Sequence, residues 1–184
     1  ECHPITAVRV KKAVRKGAAL YVVDPRTTPL TEYAEGQLPF KLGSDVALFN
    51  AMAKVIIDEG LADMDYIEER TEGFEELKAH LQPFTLEYAE EISGVPGDLI
   101  RECAIEYAKA ESAGIYYTLG ITEHICGVSN VQSLCNLALI TGNLGKKSAG
   151  VNPLRGQNNI QGAGDTGALP NNYPGFQSVE DPVC

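Results

Sequence analysis

The sequence predicts an α/β protein: a Rossmann-like layered parallel sheet flanked by helices, with a long irregular C-terminal segment. Three observations carry this reading. Short continuous apolar runs at 18–23 and 114–118 read as strands buried on both faces, the kind found in parallel sheets. Helix-periodic stretches lie before, between and after them, so helix and strand alternate. Beyond Gly145 apolar periodicity gives way to Gly, Asn, Pro and Gln.

The spacing predicts a first helix over 4–16. Pro4 suits its first position, His3 precedes it as cap, and Ile5, Val8, Ala13 and Val14 form its apolar stripe. A cationic last turn favours the helix dipole, and Gly17 ends the helix. The first strand, 18–23, stops at Asp24-Pro25-Arg26. Residues 27–42 are mixed, with Pro29 and Pro39 as breakers. Gly43-Ser44-Asp45 opens the next helix, with Ser44 as N-cap and Asp45 complementing the dipole. Leu48, Phe49, Met52, Val55 and Ile56 share one face of it, and Gly60 closes it.

Two or three short, acidic, peripheral helices are expected over 63–92. Pro96 starts a helix that buries Leu99, Ile100, Cys103, Ala104, Tyr107 and Ala108. The second strand, 114–118, runs into a loop over 119–124. A helix from about 130 to 140 turns Val131, Leu134, Cys135 and Ala138 inward, and 141–145 ends it. The expected organisation is an α/β domain over 1–145 and a Gly/Asn-rich segment over 146–184, the latter largely mobile without its ligand and neighbours.

The 184 residues are 44% hydrophobic and 22% charged, enough for a core without disulfide or metal staples. A formal charge of −10 argues against nucleic acid and against an anionic membrane surface. The basic run from Arg9 to Lys16 and the acidic stretch from Asp58 to Glu91 read as solvated helix faces. Cys2, Cys103, Cys126, Cys135 and Cys184 form no CxxC pair and fit no zinc or iron–sulfur spacing. Cys103 and Cys135 read as buried core thiols, and reduced thiols suggest a reducing, cytoplasmic compartment, with the periplasm as the alternative. No run is long and apolar enough to insert into a membrane, and no signal peptide is visible. Both ends read as cut. His3, His80 and His124 lack a carboxylate or cysteine at ligand spacing, so none is expected to bind metal.

In α/β folds ligands bind past the carboxyl ends of the strands. Asp24 there can accept hydrogen bonds from a ribose hydroxyl pair or a guanine edge, and Arg26 can meet a phosphate with a bidentate fork. A turn with an exposed ion pair would use the same residues. Gly43-Ser44-Asp45 can bind an anion at a helix N-terminus, or be an ordinary cap. There is no GxGxxG and no GxxxxGK[ST], so simple NAD and P-loop readings lack their main support. The run 150–162 holds a single cation, Arg155, among glycines and amides. Glycines admit a ligand to the backbone, amides read heterocycle edges, and a lone Arg suits a small anion. A glycine-rich linker is the plain alternative.

The run 150–162, continued by Asp165-Thr166-Gly167-Ala168-Leu169-Pro170, resembles the catalytic subunit of the molybdopterin-dependent formate dehydrogenases. Thr141-Gly142-Asn143-Leu144-Gly145, Asp24-Pro25-Arg26, Gly43-Ser44-Asp45 and Arg70-Thr71-Glu72-Gly73-Phe74-Glu75 match the same family in order, so the resemblance covers essentially the whole chain. It implies oxidation of formate to carbon dioxide at a Mo or W atom held by two molybdopterin guanine dinucleotides. By resemblance, Asp24, Arg26, Gly43, Ser44 and Asp45 line one guanosine-diphosphate end. Gly120, Thr122 and Glu123 face the dinucleotide from the second strand end, and Gln157 lies beside the pterin. Arg155 matches the active-site arginine that holds formate.

The resemblance also implies a 4Fe-4S cluster and a Cys or selenocysteine metal ligand with its adjacent His, all before Glu1, and further domains after Cys184. This stretch alone would then carry no metal ligand and no activity, and electron-transfer subunits would be its partners. Leu119 and Glu123 stand where relatives often carry Met and Gln, and a carboxylate near a dinucleotide phosphate would repel it. Thr-Gly-Asn-Leu-Gly recurs across the wider superfamily. A nitrate or polysulfide reductase, or a non-catalytic nucleotide-binding or assembly module of a redox complex, is therefore the alternative; Arg155 and Gln157 favour the formate enzyme.

Overall fold

A computed structural model describes residues 2–173 and 175–182 of the chain; Glu1 and Cys184 lie outside the described residues. The fold is mixed α/β with small parallel sheets, and its core is built around one helix. That helix, α2 (Asp45–Asp58), buries Ala47, Leu48, Phe49, Ala51, Met52, Ala53, Val55 and Ile56. It packs against α5 (Leu86–Ser93), α6 (Gly97–Lys109) and α8 (Gly127–Ile140). The expected single apolar face widens to most of the circumference because Ala47, Ala51 and Ala53 have too little bulk to hold neighbours off. Leu48 and Ile56 are 0% exposed, and each such side chain contributes roughly 1.5–3 kcal/mol by burial.

Helix α1 (Pro4–Val14) begins with Pro4 in its first turn as expected, but buries no residue. Ile5 and Val8 of the expected stripe face solvent, at 70% and 62% exposure. Its polar side is fastened instead, with Lys11 Nζ 4.5 Å over the Tyr33 ring.

The expected parallel pairing is present, as two separate two-stranded sheets. β1 (Tyr21–Val23) pairs with β2 (Gly36–Leu38), with Tyr21 opposite Gly36 and Val23 opposite Leu38. β3 (Gly114–Tyr117) pairs with β4 (Gly150–Pro153), with Gly114 opposite Gly150 and Tyr117 opposite Pro153. Neither β1 nor β3 is buried on both faces. β1 is half-buried throughout, and β3 alternates between exposed and half-buried, because a two-stranded sheet here has core on one side only. β2 arises within the stretch read as mixed. The segment read as irregular contributes β4, α9 (Ile160–Asp165) and an antiparallel pair, β5 (Asn172–Tyr173) and β6 (Gln177–Ser178).

Over 63–92 three short helices form: α3 (Met64–Arg70), α4 (Phe74–His80) and α5. Asp63 and Thr85 cap the first and last, accepting from Tyr66 N at 3.0 Å and Tyr88 N at 3.2 Å. α5 is not peripheral: Ala89 and Ser93 are fully buried against α2 and α6. The loop expected over 119–124 contains a short helix, α7 (Leu119–Thr122), and α8 starts earlier than expected, at Gly127. Asn130 makes that start possible, since its buried Nδ2 donates to Ile121 O at 2.9 Å and joins the two helices. Cys103 is a core thiol, and burial, with a smaller contribution from Glu102, pushes it up to about 12. Cys135 is only half-buried, on the flank of α8. No helix among the described residues is long and apolar enough to cross a membrane.

Candidate functional site at the strand ends

Two parallel strands leave their sheet by the same end, so each pair gathers two loops. β1 leaves into Asp24-Pro25-Arg26, and β2 into 39–44 and the start of α2. Gln37 on β2 ties the first loop down, its Nε2 donating to Asp24 O at 3.3 Å and Arg26 O at 3.0 Å. Asp24 Oδ1 accepts from Arg26 N at 2.8 Å and stands 3.5 Å from Arg26 Nε. The Arg26 side chain is 74% exposed, so its charge remains open to an anion.

Gly43 has φ +83°, a left-handed conformation that suits glycine, and no atom lies within 4 Å of where a Cβ would stand. Ser44 occupies the N-cap position of α2 without the expected capping bond: its hydroxyl donates back to Lys41 O at 2.6 Å. Asp45 is fully buried, and neither carboxylate oxygen has a hydrogen-bond partner within the chain. A buried carboxylate without donors is costly, so this position calls for donors from elsewhere.

At the second edge β3 leaves into α7, and β4 leaves into Leu154-Arg155-Gly156-Gln157. Leu154 N donates to Tyr117 O at 2.7 Å, extending the pairing to the residue before Arg155. Gly120, Thr122 and Glu123 are exposed on and just after α7. His124 Nε2 lies 2.9 Å from Gly120 O, a local contact that closes this turn. Arg155 and Gln157 are exposed. Arg155 Nη2 donates to Gln161 Oε1 at 2.9 Å, and Gln161 Nε2 donates to Asp165 Oδ1 at 3.2 Å. His3 Nε2 stands 2.6 Å from Arg155 O. Asn159, with φ 55°, precedes α9 and folds its side chain over the first turn, where a Cβ on Gly162 would collide with it.

By chain topology Asp24 and Arg26 and the loop leading to Gly43, Ser44 and Asp45 leave one strand pair by the same end, and Gly120, Thr122 and Glu123 leave the other by the same end as Arg155 and Gln157. Gln37, His3, Gln161 and Asp165 join these groups without having stood out as site residues in the sequence. Gln161 and Asp165 do have helical i, i+4 spacing, but Gly162 and Gly164 between them mask the helix. His3 and Arg155 are 152 residues apart, and no local pattern reports such a contact. Two hollows of about 240 and 250 Å³ lie along α5 and the distal half of α2. None of the strand-end residues lines them.

Residues 1–182 match the molybdopterin oxidoreductase family. The chain belongs to that family. It is 51% identical over 179 residues to F420-dependent formate dehydrogenase 1 subunit alpha of Methanococcus maripaludis, a match covering 97% of this chain and 27% of that protein. It is 50% identical over 183 residues to formate dehydrogenase H of Escherichia coli, covering 100% of this chain and 26% of that one. Among solved structures, acetylene hydratase from Pelobacter acetylenicus superposes with a TM-score of 0.73 at 34% identity, over 76% of this chain and 19% of that one. The chain spans about a quarter of the length of these two formate dehydrogenase relatives.

For a molybdopterin oxidoreductase the family implies a molybdopterin cofactor, and the first edge suits one chemically. Asp45 offers two acceptor oxygens that lack donors, Gly43 offers bare backbone, and Arg26 an exposed cation. A heterocycle with adjacent N–H donors and a phosphate would meet all three. Among the described residues no group of three or more His, Cys, Asp or Glu is arranged to hold a metal ion.

Proposed function

We propose that this chain is the part of a formate dehydrogenase catalytic subunit that holds a molybdopterin guanine dinucleotide and presents the arginine that binds formate. The observation that carries the proposal is Arg155, an exposed cation at the end of β4, fastened at both its carbonyl and its guanidinium. Likeness at about half identity to two formate dehydrogenase subunits supports the substrate. The fold alone does not, since it is shared with a protein described as a hydratase.

In this reading Asp24 and Asp45 accept hydrogen bonds from the ribose and guanine of the dinucleotide. Arg26 and the backbone of Gly43 and Ser44 meet its phosphates. Gly120 and Thr122 line the dinucleotide from the second edge, and Gln157 lies against the pterin. Glu123, which would repel a phosphate, faces hydroxyl or N–H donors instead. Residues 1–145 then form the nucleotide-binding part and 146–184 the active-site segment. The bound metal–pterin centre, with Mo or W, supplies the two-electron chemistry that formate oxidation needs. A 4Fe-4S cluster in the longer polypeptide and separate electron-transfer subunits complete the path, in a cytoplasmic enzyme.

Arg155 does the work that belongs to this chain. Its planar fork takes both formate oxygens, holds the C–H in one direction and balances charge as the reaction proceeds. In the full-length enzyme Arg155→Ala lowers formate-dependent dye reduction by about a hundredfold or more, with metal and pterin content retained. Arg155→Lys recovers little, because an ammonium lacks the fork. Unchanged turnover in Arg155→Ala would remove the role given to this residue.

A further inference from the structure

Arg155 is an exposed side chain whose guanidinium and backbone carbonyl each have a partner within the chain. A long cation on a loop ordinarily samples many rotamers, and ordering it costs about 2 kcal/mol of side-chain entropy. Here Gln161 bonds the guanidinium, His3 meets the Arg155 carbonyl, and Asp165 bonds the Gln161 amide in turn. His3, at the start of α1, has Nε2 2.6 Å from the Arg155 carbonyl. Gln161, in the first turn of α9, accepts from Arg155 Nη2 at 2.9 Å. Asp165, one turn further on, accepts from Gln161 Nε2 at 3.2 Å.

The order of these contacts has a chemical direction. An amide has one acceptor end and one donor end, and either can face a neighbour. Asp165, as a carboxylate, only accepts, so it takes the donor end of Gln161. The acceptor end must then face Arg155, which only donates. Asp165 therefore sets the orientation of Gln161, and Gln161 sets the guanidinium. A single N–H of Arg155 is spent on this contact, which leaves its other donors for a carboxylate. Because Gln161 is neutral, it steers the guanidinium without neutralising it. A Glu at this position would compete with an anionic substrate for the same charge.

We propose that Gln161 and Asp165, with His3 on the backbone side, are positioning residues that preset the Arg155 guanidinium for a small carboxylate. The proposal rests on the reading of Arg155 as the formate-binding residue. His3 holds the loop and Gln161 holds the fork, so the arginine meets its ligand already ordered. None of the three touches the substrate.

The test uses the full-length, metal-loaded enzyme with formate and a dye acceptor, with metal and pterin content measured for every variant. Gln161→Leu raises the KM for formate about tenfold with a smaller change in kcat. Asp165→Asn, which can present either a donor or an acceptor to Gln161, raises it about threefold. His3→Leu raises KM, and His3→Gln, which restores an N–H donor at similar reach, recovers most of the loss. Arg155 reactivity gives a readout apart from turnover: phenylglyoxal, followed by peptide mass spectrometry, modifies Arg155 several times faster in Gln161→Leu than in the parent. KM within twofold of the parent in both Gln161→Leu and Asp165→Asn would overturn the proposal. A raised KM with unchanged Arg155 reactivity would overturn it too, since Gln161 would then act on something other than the arginine. Absence of formate turnover in the parent enzyme is a different result, and contradicts the formate reading itself.

Discussion

At the scale of single residues, Asp45 has, under the proposed function, a part in both folding and binding. Its carboxylate is buried at the start of α2 without a donor, a state that destabilises the chain unless a ligand completes it. Opposite effects on stability and binding follow. Asp45→Asn should stabilise the cofactor-free chain by about 1–3 kcal/mol, because a neutral amide is cheaper to bury than an unpaired carboxylate. The same change in the full-length enzyme should lower the guanine dinucleotide content. Thermal unfolding and cofactor analysis read the two halves, and a loss of stability in the cofactor-free chain would contradict the account. Cys103 gives a pH dependence. Burial raises its folded-state value to about 12, so its contribution is complete below the ordinary thiol range near 8.5 and is lost as pH rises toward 12. The unfolding temperature of the parent should therefore fall more steeply above about pH 9 than that of Cys103→Ala; parallel curves would contradict it. Tyr107, which burial also raises, acts in the same direction in both proteins and cancels in the comparison, while Tyr21 loses only the part of its rise that Cys103 contributes, which adds to the same difference.

Asp24 and Asp45 were legible as candidates because one follows a strand and the other opens a helix, and Arg155 because it is the lone cation in a run of glycines and amides. The bonds around them were not. Ser44 sits where a cap belongs, yet its hydroxyl bonds Lys41 O, a choice between two nearby acceptors and donors that spacing cannot report.

At the scale of elements, the strength of the apolar pattern decided what could be read. α2 carries large apolar residues at helical spacing, and both its place and its role in the core follow from them. α1 shows that pattern alone does not decide burial: Ile5 and Val8 have the right spacing, yet face solvent. Ile56→Ala should therefore cost about 2–5 kcal/mol and Val8→Ala within about 0.5 kcal/mol, as measured by denaturation of this chain. Equal costs would contradict the assignment of the core. β2 and β4 escaped notice because strands of three or four residues that include Gly, Gln, Asn or Pro have neither the length nor the alternation of a strand signal. They exist because β1 and β3 supply hydrogen-bond partners, a tertiary effect. α5, acidic on its outer side, hid the small residues Ala89 and Ser93 through which it enters the core.

At the scale of the molecule, two parallel strand pairs on one helical core present their loops as surfaces. The alternation of helix and strand made the α/β class and the parallel pairing legible. The division into two small sheets was not, because it depends on which strands find partners. Against a net charge of −10, Arg26 and Arg155 are exposed cations at strand ends, the places the proposed reading assigns to anions.

The central claim is that this chain serves formate oxidation. The measurement that tests it most directly is dye reduction by the full-length, metal-loaded enzyme, offered formate in one assay and, with reduced dye, nitrate or polysulfide in others. The account predicts turnover with formate and none with the other two substrates. Turnover with nitrate or polysulfide and none with formate would contradict it, leaving the molybdopterin oxidoreductase family in place and assigning Arg155 to a different anion.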